Sequence, residues 1–356
     1  MSNPGKSRRS GVVTILDVAR NAGVSPMTVS RVMSGRKYVG EETRRRVLVA
    51  VKALKYSPNL AGRSLRTSGA YKIGMLYSNP SAAYLNPLLV GALQQCAVSG
   101  STLVIEQCGG FRSQRAAVEK LLAAGVDGVI LPPPLCDSIA TLSHLEEEGV
   151  PALAFATGRP REGTACVRID DYEAARAMTR HLIDLGHRDI AFIQGDPKHS
   201  PTALRTAGFL AAISESRLAL VREFMTQGLF TYRSGLAAAQ QLLSGKRRPT
   251  AIFSSNDDMA AAVISIAHGL GLRVPHDLSV CGFDDTAIAT IVWPELTTIH
   301  QPVSSMAHAA VAILIDEIRR RRAGLPGTAK HESAKFTLVK RASSAPPAKQ
   351  SPVKAA

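Results

Sequence analysis

The sequence lacks any run of about 18 apolar residues, the least that a membrane-crossing helix needs. Its opening, MSNPGKSRRSGVV, is basic but has neither an apolar core nor a cleavage pattern, which argues against a secretory signal. Cysteine is sparse. Cys96, Cys108, Cys136, Cys166 and Cys281 are odd in number, scattered and mostly set in apolar stretches. With no CxxC and no Cys/His cluster, neither a disulfide framework nor a metal site is expected, and the thiols should be buried and reduced in a cytoplasmic chain. The common catalytic motifs are missing too: there is no GxSxG, no HExxH and no strand–GxGxxG–helix. Gly5-Lys6-Ser7 echoes the end of a phosphate loop, but no glycine precedes it at the right spacing. No cofactor and no enzymatic activity are expected.

Acidic residues are scarce at both ends of the chain. Residues 1–66 hold fourteen Lys and Arg against Asp17, Glu41 and Glu42, and residues 335–356 hold five basic residues and no acid. The stretch between is close to neutral, so the net charge of +15 is segregated into a basic head and a short basic tail. A one-sided head on a neutral body favours a polyanionic partner. Nucleic acid is preferred over a membrane surface, because no amphipathic anchor accompanies the charge.

The head shows why the charge is there. In TILDVARNAGVSPMTVSRVMSG, Thr14 can cap a helix whose apolar face is Ile15, Val18, Ala19 and Ala22. Gly23 ends that helix. Ser25 caps the next, with Pro26 at its first position and Val29 and Val32 turned inward. Small Ala19 lets the two helices approach closely. Pro26, Met27, Thr28, Ser30 and Arg31 are left facing outward. This spacing predicts a helix-turn-helix, whose second helix enters the DNA major groove. A third helix runs from Glu41-Glu42-Thr43 to Leu54 and closes the core.

These segments, with ETRRRVLVAVKALKYSPNLAGRSLRT, make the chain similar to the LacI/GalR transcription regulators, up to about residue 342. The resemblance implies a hinge helix over Leu60–Arg66 that lies in the minor groove, with Asn59 as its cap and Leu65 as the wedge between base pairs. Gly62 departs from the alanine usual there, and glycine costs about 1 kcal/mol inside a helix. A hinge so short should fold only on DNA. Tyr38 is counted with the DNA-contacting residues. The expected partners are a palindromic double-stranded operator, a small-molecule effector and a second copy of the chain. The expected location is the bacterial cytoplasm, at the nucleoid.

Beyond Gly69 strands and helices alternate. KIGMLY (72–77), TLVIEQC (102–108), DGVILPP (127–133) and PALAFA (151–156) form a first set. CVRID (166–170), DIAFIQG (189–195), AIFSS (251–255) and LSVCGFD (278–284) form a second. Such alternation predicts two lobes of parallel sheet covered by helices, with ligands at the carboxyl ends of the strands. A first helix is expected near 88–98. Polar residues gather at those strand ends: Arg205, Asn256, Asp257, Asp284, Asp285 and His300-Gln301. Donors, amides and a carboxylate in one cleft suit the hydroxyls of a sugar-like ligand. Asp257 is expected to cap the following helix, and Asp285 a turn. His199 either lines the cleft or lies on the plain surface.

The resemblance implies effector contacts at Arg205, Asn256, Asp284 and Gln301, an aromatic stack on Phe230 and a first-lobe wall at Pro87. The expected fold is a small all-α helix-turn-helix head on a two-lobed α/β body like the periplasmic binding proteins. The expected boundaries are a disordered arm over 1–13, the head over 14–57, the hinge over 58–69, the body over 70–342 and a disordered tail over 343–356. A free-standing sugar-binding protein, or a sugar-active enzyme on the same body, is the alternative.

Overall fold

The computed structural model describes residues 15–33, 40–54, 71–78, 81–109 and 113–348. The chain divides into two units, Met1–Ala70 and Tyr71–Ala356.

The head unit holds α1 (Ile15–Ala22), α2 (Pro26–Met33) and α3 (Glu41–Ala53). Val18, Ala19, Ala22, Val29, Val32, Val47 and Ala50 form its core. A fully buried valine contributes ~1.5–3 kcal/mol, so so small a core depends on good helix ends. Gly23 turns the chain with φ +61°. Ser25 Oγ accepts from the Thr28 N–H at 3.1 Å and caps α2. The C-terminal end of α1 is closed from a distance. Arg46 of α3 donates through Nη2 to the Ala22 carbonyl at 2.6 Å, and a Cβ on Gly23 would stand 2.8 Å from that nitrogen.

The body opens with β1 (Lys72–Tyr77), α4 (Ala82–Ser99), β2 (Thr102–Gln107), α5 (Gln114–Ala123), β3 (Gly128–Leu131), α6 (Ile139–Glu147), β4 (Ala152–Phe155) and β5 (Ala165–Arg168). It continues with α7 (Asp171–Asp184), β6 (Ile190–Gln194), α8 (Ser200–Glu215), β7 (Met225–Gln227), α9 (Tyr232–Leu243), β8 (Ala251–Ser254), α10 (Asp257–Gly269), β9 (Ser279–Cys281) and α11 (Ile288–Ile291). Then follow β10 (Thr298–His300), α12 (Val303–Arg322), β11 (His331–Ser333) and β12 (Thr337–Val339).

The first sheet runs β11-β5-β4-β3-β1-β2 and the second β7-β6-β8-β9, each with parallel neighbours. β10 and β12 pair antiparallel in a ribbon of their own. The chain therefore crosses between the lobes after β5, after β10 and after β11.

Three expectations are corrected. The strand at Cys166 belongs to the first sheet, where β11 pairs with it from 165 residues later in the chain (His331 with Cys166). The first body helix begins at Ala82 rather than near 88, and it carries Pro87 inside. Residues 343–345 do not begin a disordered tail. Ser343 is fully buried: its Oγ donates to the Val280 carbonyl at 2.6 Å and accepts from the Thr297 N–H at 2.8 Å. His187, itself 1% exposed, bridges Ser279 Oγ at 3.0 Å and the Ala345 carbonyl at 2.9 Å. All five cysteines are buried and none is joined in a disulfide.

Candidate functional site

In parallel sheets the loops after the strands meet at one end, and here both lobes present that end to a shared cleft. Ser81 and Tyr84 follow β1, Pro133 follows β3 and Ala156 follows β4. His199, Pro201 and Arg205 follow β6, Phe230 follows β7, Asn256 follows β8 and Asp284 follows β9. These ten residues line one pocket.

Arg205 is the centre of the site. Its Nε donates to Asp171 Oδ1 at 2.8 Å, and Nη1 donates to the Ser255 carbonyl at 2.6 Å. Nη1 also stands 3.8 Å from Asp284 Oδ1. The guanidinium lies over the Phe283 ring, 3.6 Å from its centroid, and 5.9 Å from that of Phe230. Stacking and ion pairing hold a fork that would otherwise sample many rotamers.

Asp284 accepts from Gln301 Nε2 at 2.6 Å, so Gln301 sets the carboxylate from behind instead of lining the pocket. Burial pushes the Asp284 carboxyl up to about 7, against the pull of Arg205 and of Gln301. Burial also raises Asp171, with Arg205 opposing, and raises Asp257, with Asp284 adding to the shift. His199 is buried against Phe230, ring centroids 5.1 Å apart, and burial lowers its pKa. It lines the cleft, which resolves the open choice for that residue.

Backbone strain is concentrated here. Ala156, Phe230 and Asp284 have φ of 51°, 58° and 109°, a region that non-glycine residues rarely occupy. Each costs on the order of 1–3 kcal/mol and persists where the surroundings enforce it, as at binding sites. Gly195 makes room for the Phe230 ring, since a Cβ there would fall 1.9 Å from the ring's Cζ.

Other expected roles change. Asn256 is the true cap of α10, accepting from the Met259 N–H at 3.1 Å and donating to the Phe230 carbonyl at 3.0 Å. Its amide thus positions Phe230, and little of it is left for a ligand. Asp257 is not the cap. Fully buried, it accepts from Thr298 Oγ1 at 2.6 Å and the Thr286 N–H at 2.7 Å, tying α10 to the loop after Asp284. Asp285 pairs with Arg341 at 2.7 Å and His300 at 3.0 Å. Pro87 does not line the pocket; it stands nearly a turn farther along α4 than Tyr84, which with Ser81 forms the wall. The sequence reading missed both of these, and Asp171. An α4 beginning at Ser81's cap would have found the first two. A larger open groove, about 1050 Å³, lies between α7 and residues 338–344, but its Arg176, Arg180 and Arg341 are committed to Glu173, Glu215 and Asp285.

In the head, Met27 is 65% exposed on α2, and Pro26 and Thr28 are half-buried beside it. Ser30 and Arg31 lie on the same helix, their side chains outside the described residues. Thr14, Tyr38, Asn59, Gly62 and Leu65 also lie outside the described residues.

Comparison with known proteins settles what this pairing of head and cleft is. The family profile for bacterial regulatory proteins, lacI family, matches residues 14–59, and that for a periplasmic binding protein-like domain matches residues 179–344. The HTH-type transcriptional repressor PurR of Erwinia tasmaniensis is 37% identical over 316 residues, covering 87% of this chain and 92% of that one. The chain belongs to the LacI family. This LacI-family member is a DNA-binding transcriptional repressor and not an enzyme. Solved relatives share its fold at lower identity. A lac repressor dimer bound to operator and the anti-inducer ONPF has a TM-score of 0.78 at 28% identity, covering 94% of this chain and 100% of that one. A complex of the transcriptional regulator CelR with cellobiose has a TM-score of 0.71 at 28% identity, covering 93% and 99%. No helix among the described residues is long and apolar enough to cross a membrane.

Proposed function

We propose that this repressor binds a palindromic operator as a homodimer and that a small polyhydroxylated effector in the cleft controls its affinity. The observation that carries the effector reading is the convergence of Arg205, Phe230 and Asp284, from three strand ends, on one strained pocket. A sugar ring has an apolar face for Phe230 and vicinal hydroxyls for the guanidinium and the carboxylate. The cellobiose complex of the solved relative CelR agrees with such a ligand.

On the DNA side, α2 reads the major groove. Arg31 pairs with guanine and Met27 meets a thymine methyl, each good base contact being worth about 1–3 kcal/mol of discrimination. Thr28 and Ser30 add hydroxyl contacts. Asn59, Gly62 and Leu65 act through the hinge.

Three hydrogen bonds among the described residues join the lobes beside the pocket: Ser81 Oγ to Asp258 Oδ2 at 2.5 Å, the Ser200 N–H to Asp137 Oδ2 at 3.0 Å and the Gly158 N–H to Ser200 Oγ at 2.6 Å. An effector that strengthens or breaks this closure changes the first lobe, from which the chain runs to the head. The coupling is reciprocal: the factor by which ligand changes operator affinity is the factor by which operator changes ligand affinity. A thermal-shift screen of sugars, sugar acids and nucleosides, followed by operator binding with and without each hit, tests the reading. Ligands that stabilise the protein yet leave operator affinity unchanged would refute it.

A further inference from the structure

We infer that the cleft selects an uncharged or cationic, donor-rich effector and rejects anionic ones, because the one guanidinium of its lining, Arg205, is already engaged by buried Asp171 and stands beside buried Asp284. The inference rests on the effector reading above and narrows the class of ligand.

Asp171, Asp257 and Asp284 are 2%, 1% and 7% exposed, and they come from α7, α10 and the end of β9. Asp258 of α10 and Asp137, which follows β3, each accept a hydrogen bond from the opposite lobe. Arg205 is the only Lys or Arg in the pocket lining. It is largely spent: Asp171 takes its Nε, Ser255 takes Nη1 and Phe283 covers one face.

The other partners of these acids are neutral. Asp257 is held by Thr286 and Thr298, Asp258 by Ser81, and Asp137 by Thr157 Oγ1 and the Ser200 N–H. The acids do not converge as a metal site, for no group able to hold a metal ion occurs among the described residues. Beyond Arg205, a ligand beside these acids meets hydroxyls and N–H groups and no second lining cation.

His199 supports this independently. It is 6% exposed and lines the pocket, and its ring nitrogens have no hydrogen-bond partner among the described residues. A neutral imidazole offers one acceptor and one donor, so with Asp284 the pocket presents acceptors that a ligand's O–H or N–H groups would satisfy. A ligand carboxylate or phosphate would instead meet Asp284 at close range in a poorly solvated space. Asp284 already resists ionisation, its carboxyl raised to about 7 chiefly by burial, and a second negative charge beside it would be opposed further. Tyr84, on the same wall, has its phenol pushed up by burial and then by Asp284, so it remains an uncharged donor.

The test uses the full-length protein in thermal shift with matched sets: glucose, glucosamine and glucuronate; galactose, galactosamine and galacturonate; adenosine and adenosine monophosphate. In any set that stabilises the protein, the neutral or amino member should act at a concentration at least about 30-fold below its anionic counterpart. Asp284→Asn, which tolerates positive φ, should shrink that gap. An acid or phosphate that stabilises at equal or lower concentration overturns the inference.

If no member of any set acts, the polyhydroxylated-effector reading fails, and the charge balance is judged without ligand. A carboxyl raised on folding stabilises the protein at low pH and loses that contribution as pH climbs toward 7. Wild type should therefore fall further in melting temperature between pH 5 and pH 8 than Asp284→Asn. Parallel curves for the two proteins would overturn the inference.

Discussion

The Arg205 Nε–H donates to Asp171 Oδ1 across 2.8 Å, and the two side chains are 7% and 2% exposed. This pair joins α8 to α7 at the floor of the cleft, so the group that faces a ligand is also a brace. Removing it leaves a buried carboxylate without its cation. Arg205→Met should destabilise the body by about 3–5 kcal/mol, and Asp171→Asn in the same chain should recover part of that loss. Urea unfolding of the two variants measures both, and a loss below about 1 kcal/mol would show that Asp171 finds another partner.

Arg46 closes α1 from the third helix. Arg46→Ala should lower head stability by about 1–2 kcal/mol through the lost contact with the Ala22 carbonyl and the C-terminal end of α1. Operator binding should weaken accordingly while effector affinity stays as in wild type. Gel-shift titration beside calorimetry separates the two. An effect confined to DNA contact, with unaltered melting of the head, would show that Arg46 acts on phosphate.

His187 sets an acid limit. Burial lowers its pKa, so the unfolded chain takes up a proton that the folded one refuses. Its contribution is full above the unfolded value near 6.5 and is lost as pH falls below it. Each pH unit of that fall costs up to about 1.4 kcal/mol per proton. His187→Gln should flatten the melting temperature between pH 6.5 and 4.5. Protection of the Ala345 amide, whose N–H donates to Ser279 Oγ at 3.0 Å, should fall in acid for wild type once exchange is referred to its intrinsic rate at each pH.

The salt dependence of DNA binding tests the basic head. Each phosphate neutralised contributes a log–log slope near −0.9, so a dimer with fourteen Lys and Arg per head segment should show a steep slope. Filter binding over a range of salt measures it. A slope shallower than about −3 would remove the proposed docking.

Much of this was readable from the chain because the relevant interactions are local. Gly23, Ser25 and Pro26 do what their types allow at a helix junction, and the strand–helix alternation placed most elements within a residue or two. The failures share a cause, which is distance along the chain. β5 and β11 pair across more than 160 residues, and no pattern in CVRID announces which sheet it joins. Arg46, His187 and Ser343 look like ordinary polar residues until the carbonyls they satisfy, far away in sequence, are known. Pro87 misled differently. Proline disfavours a helix interior, yet α4 continues through it with Tyr84 and Leu88 buried on either side. At the cleft, Arg205 and Asp284 were legible as residue types near strand ends, and Phe230 through the family resemblance. That Asn256 and Gln301 serve Phe230 and Asp284 was not, because a side chain's second partner cannot be counted in one dimension.

The order in which the parts can be completed during synthesis follows from the three crossings. The core of the head is complete once residue 54 has emerged, whereas the first sheet waits for His331–Ser333 and the second lobe for Ser343. At synthesis rates of about 5–20 residues per second, that interval is on the order of 15–60 s. For that time each nascent chain carries a folded DNA-reading head on a body that cannot yet close around anything, and regulation by ligand begins only when the last strands arrive.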